Sequence, residues 1–172
     1  MLRALRVLTV GVDRATGDPV TIMGEVGGSY RLVAVRLDLA GATLIEDERG
    51  GSRTSALGLL GRLIRTFDRN LEYIELAEHR DGTFHADLVF DAGTRVAARV
   101  GDAIAFALSL DVAVVVEDLV LGRNALRPGS GLDVQDGLEL AGVRADDDAA
   151  QVERFRRCLD GALPADFTPA LP

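Results

Sequence analysis

The chain repeats itself. Without a gap, Arg95, Ala98, Asp102 and Leu108 fall on Arg31, Ala34, Asp38 and Leu44, each 64 positions earlier. The same offset sets the apolar beats Leu71, Ile74 and Leu76 on Val7, Val10 and Val12, and the turn Asp81-Gly82 on Gly17-Asp18. This pattern describes one strand-strand-strand-helix unit used twice. The expected fold class is therefore α+β: duplicated units forming a mixed or antiparallel sheet with packed helices, followed by a C-terminal amphipathic helix. Function is to be sought where the copies differ.

In the first unit, residues 5–13 read as a strand, and 20–26 with 30–37 as a hairpin across Gly27-Gly28-Ser29. A short helix begins at Asp38, and a second spans 54–67, with Leu57, Leu60, Ile64 and Phe67 at helical spacing. The second unit runs through strands 71–78, 84–90 and 94–100 into a helix at Asp102, whose segment 103–110 has almost no polar face and should be buried. A strand at 112–116 and a brief helix from Asp118 complete a domain of residues 1–121. Glycines and Pro128 mark 122–145 as a linker. The tail, 146–172, opens with an amphipathic helix over 146–160, whose stripe is Val152, Phe155 and Leu159.

Parity orders the second unit. Phe84, Ala86, Leu88 and Phe90 alternate with His85, Asp87 and Val89, so the even positions should face the core. Ile74 and Leu76 share that core only if a three-residue loop, Arg80-Asp81-Gly82, pairs Ile74 with Leu88 and Ala77 with His85. A second such loop, Asp91-Ala92-Gly93, then pairs Phe90 with Thr94, Asp87 with Ala97 and His85 with Arg99. Glu75, His79, His85, Asp87 and Arg99 are thereby expected on one outward face, which holds both histidines of the chain. Three readings stay open for that face: a solvated surface with cross-strand charge pairs, a subunit interface, or a metal or acid-base site. Asp102, like Asp38, stands at a strand-to-helix junction, where a carboxylate can cap free backbone donors or take a catalytic role.

Composition excludes whole classes of chemistry. All 19 basic residues are arginine, which removes the phosphate-loop lysine, the Schiff-base lysine and the lysine general base. A net charge of -8 repels phosphate backbones unless arginines are concentrated locally. Cys158 is the single cysteine, so neither an internal disulfide nor a cysteine-based zinc site can form, and a reducing interior suits the chain. No segment approaches the roughly 20 apolar residues of a membrane span. The expectation is a soluble cytoplasmic protein with no membrane partner and no evident cofactor.

The second unit resembles a known family. Asp81-Gly82-Thr83-Phe84-His85-Ala86-Asp87-Leu88-Val89-Phe90, followed by Arg99-Val100-Gly101-Asp102-Ala103-Ile104-Ala105, is similar to the bacterial bifunctional nuclease (DNase/RNase) domain. That family typically shows Asp/Glu-Gly-Thr-Phe-Tyr-Ala, then Arg-Pro-Ser-Asp-Ala opening a helix. The tail from Val152 to Asp160, with Pro164-Ala165-Asp166-Phe167, is similar to actinobacterial members. The resemblance implies hydrolysis of phosphodiester bonds in DNA or RNA, with catalytic candidates Arg99, Asp102, His85, Asp87 and His79, and a divalent Mg or Mn ion where activity is retained. The departures lie mostly in the first half. Ala34, Val35-Arg36, Leu39 and Ala56-Leu57-Gly58 stand where the family has tryptophan, Ile-Gly, a helix glutamate and Thr-His-Asp. In the second half, His85 replaces a tyrosine and Val100-Gly101 replaces Pro-Ser. The implied outcome is a nuclease whose activity is weak or lost, with nucleic acid as a possible partner. The alternative is a non-catalytic homo-oligomer, a dimer by preference, or a protein-binding regulator that keeps the fold.

Overall fold

The computed structural model describes residues 1–27, 29, 31–51, 55–78, 83–126 and 134–136. The expected tail helix, the loop Arg80-Asp81-Gly82 and His79 lie outside the described residues.

The first unit contains β1 (Leu2–Asp13), β2 (Pro19–Glu25), β3 (Leu32–Arg36) and α1 (Leu39–Arg49). After α2 (Ala56–Thr66) the same succession returns as β4 (Leu71–Glu78), β5 (Phe84–Phe90), β6 (Arg95–Ala98) and α3 (Val100–Leu110). The chain continues through β7 (Ala113–Glu117), α4 (Asp118–Asn124) and β8 (Val134–Asp136). The strand order is β3-β2-β1-β7-β4-β5-β6, with β8 paired to β1. Because β7 runs antiparallel to β1 and parallel to β4, it joins the two meanders into one mixed sheet, and the class is α+β as expected.

One face of the sheet supplies the core. Ile74, Leu76 and Ala86 from the second meander, Val114 and Val116 from β7, and Val10, Met23, Val33 and Val35 from the first pack with Ala42 and Ile45 of α1 and Ala103 to Ala105 of α3. Each fully buried aliphatic side chain of this kind contributes about 1.5–3 kcal/mol. The apolar run of α3 is buried as its composition requires, from Ala103 to Ala107.

The expected register is the observed one. Ile74 pairs with Leu88, Ala77 with His85 and Asp87 with Ala97. Phe90 N donates to Thr94 O (2.8 Å) across a 3-10 turn in which Ala92 (φ 57) and Gly93 (φ 73) are left-handed. That is the geometry of a three-residue hairpin loop.

Three details differ. Helix α3 begins at Val100 rather than Asp102, because Arg99 is still extended (φ -66, ψ 142) and takes the cap position itself. Asp102 therefore lies in the first turn and does not cap; Asp38 does, accepting from Gly41 N at 2.7 Å. Helix α1 runs on to Arg49, with Arg49 Nη1 bonded to Glu46 Oε1 (2.6 Å). Finally, the segment read as a linker from 122 contains the end of α4 and, at 134–136, a strand on β1, so the compact unit extends through residues 1–138.

Helices α1 and α3 meet backbone to backbone at their first turns. A Cβ built on Gly101 would sit 2.6 Å from Gly41 Cα, and one on Gly41 would sit 2.9 Å from Gly101 Cα. Only glycine at both positions permits this approach. It brings the start of α1 against the start of α3.

Candidate functional site

Where these helix ends meet the end of β6, the chain forms an open cleft of about 500 Å³. Asp38, Arg99 and Gly101 line it from the helix ends, Ala97 and Ala98 from β6, and Phe84 and His85 from β5. Arg99 is its centre. The guanidinium Nε donates to Asp102 Oδ2 at 2.8 Å, and Nη1 donates to Asp38 Oδ2 at 3.2 Å. Asp38 thus divides its oxygens, Oδ1 capping α1 and Oδ2 receiving Arg99. The Arg99 side chain is 68% exposed, yet its charge already faces two carboxylates. One guanidinium and two carboxylates carry a formal charge of -1, which disfavours an incoming phosphate.

The carboxylates of Asp38 and Asp102 are the oxygen donors a hard divalent ion would need here. Their Oδ2 atoms are taken by Arg99, and among the described residues no three His, Cys, Asp or Glu side chains are grouped to hold an ion. The residues present do not fit a resident divalent ion.

The five groups expected on one outward face separate. Glu75 and Asp87 do share a face of β4 and β5, but Arg95 joins them: Nη2 bonds Glu75 Oε2, and Nη1 bonds Asp87 Oδ2 at 3.1 Å. These two bonds, Glu75 first, hold the Arg95 guanidinium above its ordinary pKa. Arg99 instead turns to the helix ends, and half-buried His85 lies in the wall of its cleft. Asp87 is outside the cleft lining, and His79 is outside the described residues. The physical reason is that β6 ends at Ala98, so strand parity stops governing the chain one residue before Arg99.

Arg95 and Asp38 are the members that the sequence reading missed. For Arg95 the signal was present, since it has the parity of Ala97 and pairs with Val89 beside Asp87. Asp38 reaches Arg99 only through the contact of Gly41 with Gly101, which no local pattern announces.

A third arginine repeats the arrangement. Arg31 donates from Nε and Nη2 to Glu25 (3.0 and 2.9 Å) and from Nη2 to Asp118 Oδ1 (2.7 Å), while Arg3 Nε donates to the same Asp118 oxygen at 2.8 Å. The Glu25 side chain is only 1% exposed. Hydrogen bonding from Arg31 pulls its carboxyl below the ordinary range against the opposing effect of burial. Arg31 and then Arg3 do the same to Asp118, and Arg31 is raised in turn by Glu25 and Asp118. The aligned pair Arg31 and Arg95 therefore each span two carboxylates, and Arg99 does so at the cleft.

The bifunctional nuclease domain model matches residues 22–128, more than half of the chain. The chain belongs to the bifunctional nuclease domain family. It is also 31% identical over 166 residues to uncharacterized protein Rv1829 of Mycobacterium tuberculosis strain H37Rv, covering 95% of this chain and 96% of that protein. The same identity and coverage hold for uncharacterized protein MT1877 of strain CDC 1551. The family match includes the whole cleft, from Asp38 to Asp102. Relative to the family motif, the cleft has His85 for tyrosine and Gly101 for serine.

Proposed function

We propose that this chain keeps the bifunctional nuclease fold while its hydrolysis of DNA or RNA phosphodiesters is weak or lost. One observation carries the reading: Arg99, the cation of the family motif, is spanned between Asp38 and Asp102. Phosphodiester hydrolysis needs positive charge free to steady the developing anion, and a metal or base to make the nucleophile. Here the charge is neutralised within the cleft, and Leu39 and Ala56-Leu57-Gly58 offer no side-chain ligand or base.

In this reading Arg99, Asp102 and His85 mark the inherited site, whereas Asp87 and Arg95 serve the sheet surface. His79 is retained as a candidate of that inherited site. Mg or Mn is relevant only where hydrolysis survives, and nucleic acid would approach at the cleft. No helix among the described residues is long and apolar enough to cross a membrane. A cytoplasmic location is part of the proposal. The test is incubation of the purified chain with single-stranded RNA and DNA in Mg or Mn. Product above the buffer control that disappears in both Arg99→Ala and Asp102→Ala would overturn the reading; marginal product, indifferent to both substitutions, supports it.

A further inference from the structure

The two edges of the sheet are finished differently. At β3, Leu126 N donates to Leu32 O (2.8 Å) and Ala125 bridges Val33, so the chain following α4 occupies that edge. At the other edge stands β6, whose sole partner among the described residues is β5. Arg95, Val96 and Ala97 are all exposed there. An open edge is a template for another strand, and folded proteins commonly cover or blunt it.

Antiparallel ladders alternate in the direction of their backbone groups. Because Phe90 N bonds Thr94 O, the groups of Thr94, Val96 and Ala98 point to β5, and those of Arg95 and Ala97 point to the open side. Beside this edge lies an almost wholly apolar groove of about 300 Å³, built by Ile64 and Phe67 of the α2 region with Phe90 and Val96. Phe67 is 75% exposed, Val96 48% and Leu63 46%. A hydrophobic patch adjoining unpaired strand groups is the combination that sheet extension buries.

We propose that β6 pairs antiparallel with β6 of a second copy about a two-fold axis through Val96, continuing the sheet across a dimer and covering the apolar groove. Charge selects both the occupant and the register. Three registers near the middle of the strand use the outward groups of Arg95 and Ala97. Centring on Arg95 sets it against the partner's Arg95, and centring on Ala97 sets Arg95 against the partner's Arg99. Centring on Val96 opposes Arg95 with the partner's Ala97 and leaves no like charges face to face. Arg95 is moreover already neutralised by Glu75 and Asp87, so the edge brings no excess positive charge to its own copy. The interface is isologous and closed, and it does not depend on whether the cleft retains hydrolysis.

The test is the mass of the full chain in solution, measured by light scattering after size exclusion across a range of concentrations. The expected mass is twice 18.3 kDa. Ala97→Pro removes an N–H that β5 does not use, so it should give a monomer with an unchanged far-ultraviolet spectrum. In a Cys158→Ser background, Val96→Cys should form an intersubunit disulfide on mild oxidation, because the non-bonded pair at a two-fold axis brings its Cα atoms to about 4.5 Å. A wild-type monomer at every concentration, a dimer that survives Ala97→Pro, or the absence of that disulfide would each overturn the proposal.

Discussion

Arg99 Nη1 lies 3.2 Å from Asp38 Oδ2 although 61 positions separate the two residues, so a single guanidinium ties the first turn of α3 to the cap of α1. The bond is a surface one, with side chains 68% and 54% exposed. Its consequence is electrostatic more than mechanical. It holds the cleft's positive charge against a carboxylate that also caps a helix.

Replacing this arginine should therefore barely affect folding. Exposed ion pairs are worth roughly 0–1 kcal/mol. Arg99→Ala should lower the unfolding free energy, measured by urea titration, by less than about 1 kcal/mol even though it removes two ion pairs.

Gly101→Ala is the opposite case. Its Cβ would meet Gly41 Cα at 2.6 Å, backbone against backbone, so neither neighbour can yield by rotating a side chain. Forced repacking of this kind costs about 1–3 kcal/mol. The melting temperature should fall well below that of Arg99→Ala, and the cleft should open as α1 withdraws from α3.

That contact also shows where the sequence stops being informative. The strand register was legible, because alternation from Phe84 to Phe90 and the glycine at the left-handed position 93 admit one loop length that buries both Ile74 and Ala86. The outward placement of Glu75 and Asp87 followed from it. The direction of Arg99 did not, since alternation applies only while the chain is a strand. The internal offset of 64 misled in the same place: Asp38 is a cap, but the cap of α3 is Arg99, three residues ahead of Asp102. The approach of α1 to α3 depends on two glycines distant in sequence, one in each copy of the unit, and on the packing of both helices over the same sheet face. The expectations for 139–172 concern residues outside those described.

Acid should loosen the protein through Glu25 and Asp118. Both are held below their ordinary values of 4.5 and 3.8 by Arg31, with help from Arg3. A depressed carboxyl contributes its stabilisation in full above the ordinary value and loses it as pH falls through the lower folded value. Glu25→Gln should thus destabilise most at neutral pH, and its difference from the wild type should shrink as the solution is acidified below about 4.5. Urea midpoints of the two proteins taken from neutral to acid pH should converge. A gap that stays constant would remove Glu25 from the acid response.

The most direct measurement compares cleavage of labelled single-stranded RNA by wild type and Arg99→Ala, with protein in excess and Mg or Mn present. With Arg99 engaged by Asp38 and Asp102, the two rates should be indistinguishable and close to the uncatalysed background. A wild-type rate far above background that falls at least a hundredfold in Arg99→Ala, on the order of losing one preorganised anion-stabilising group, would contradict the account.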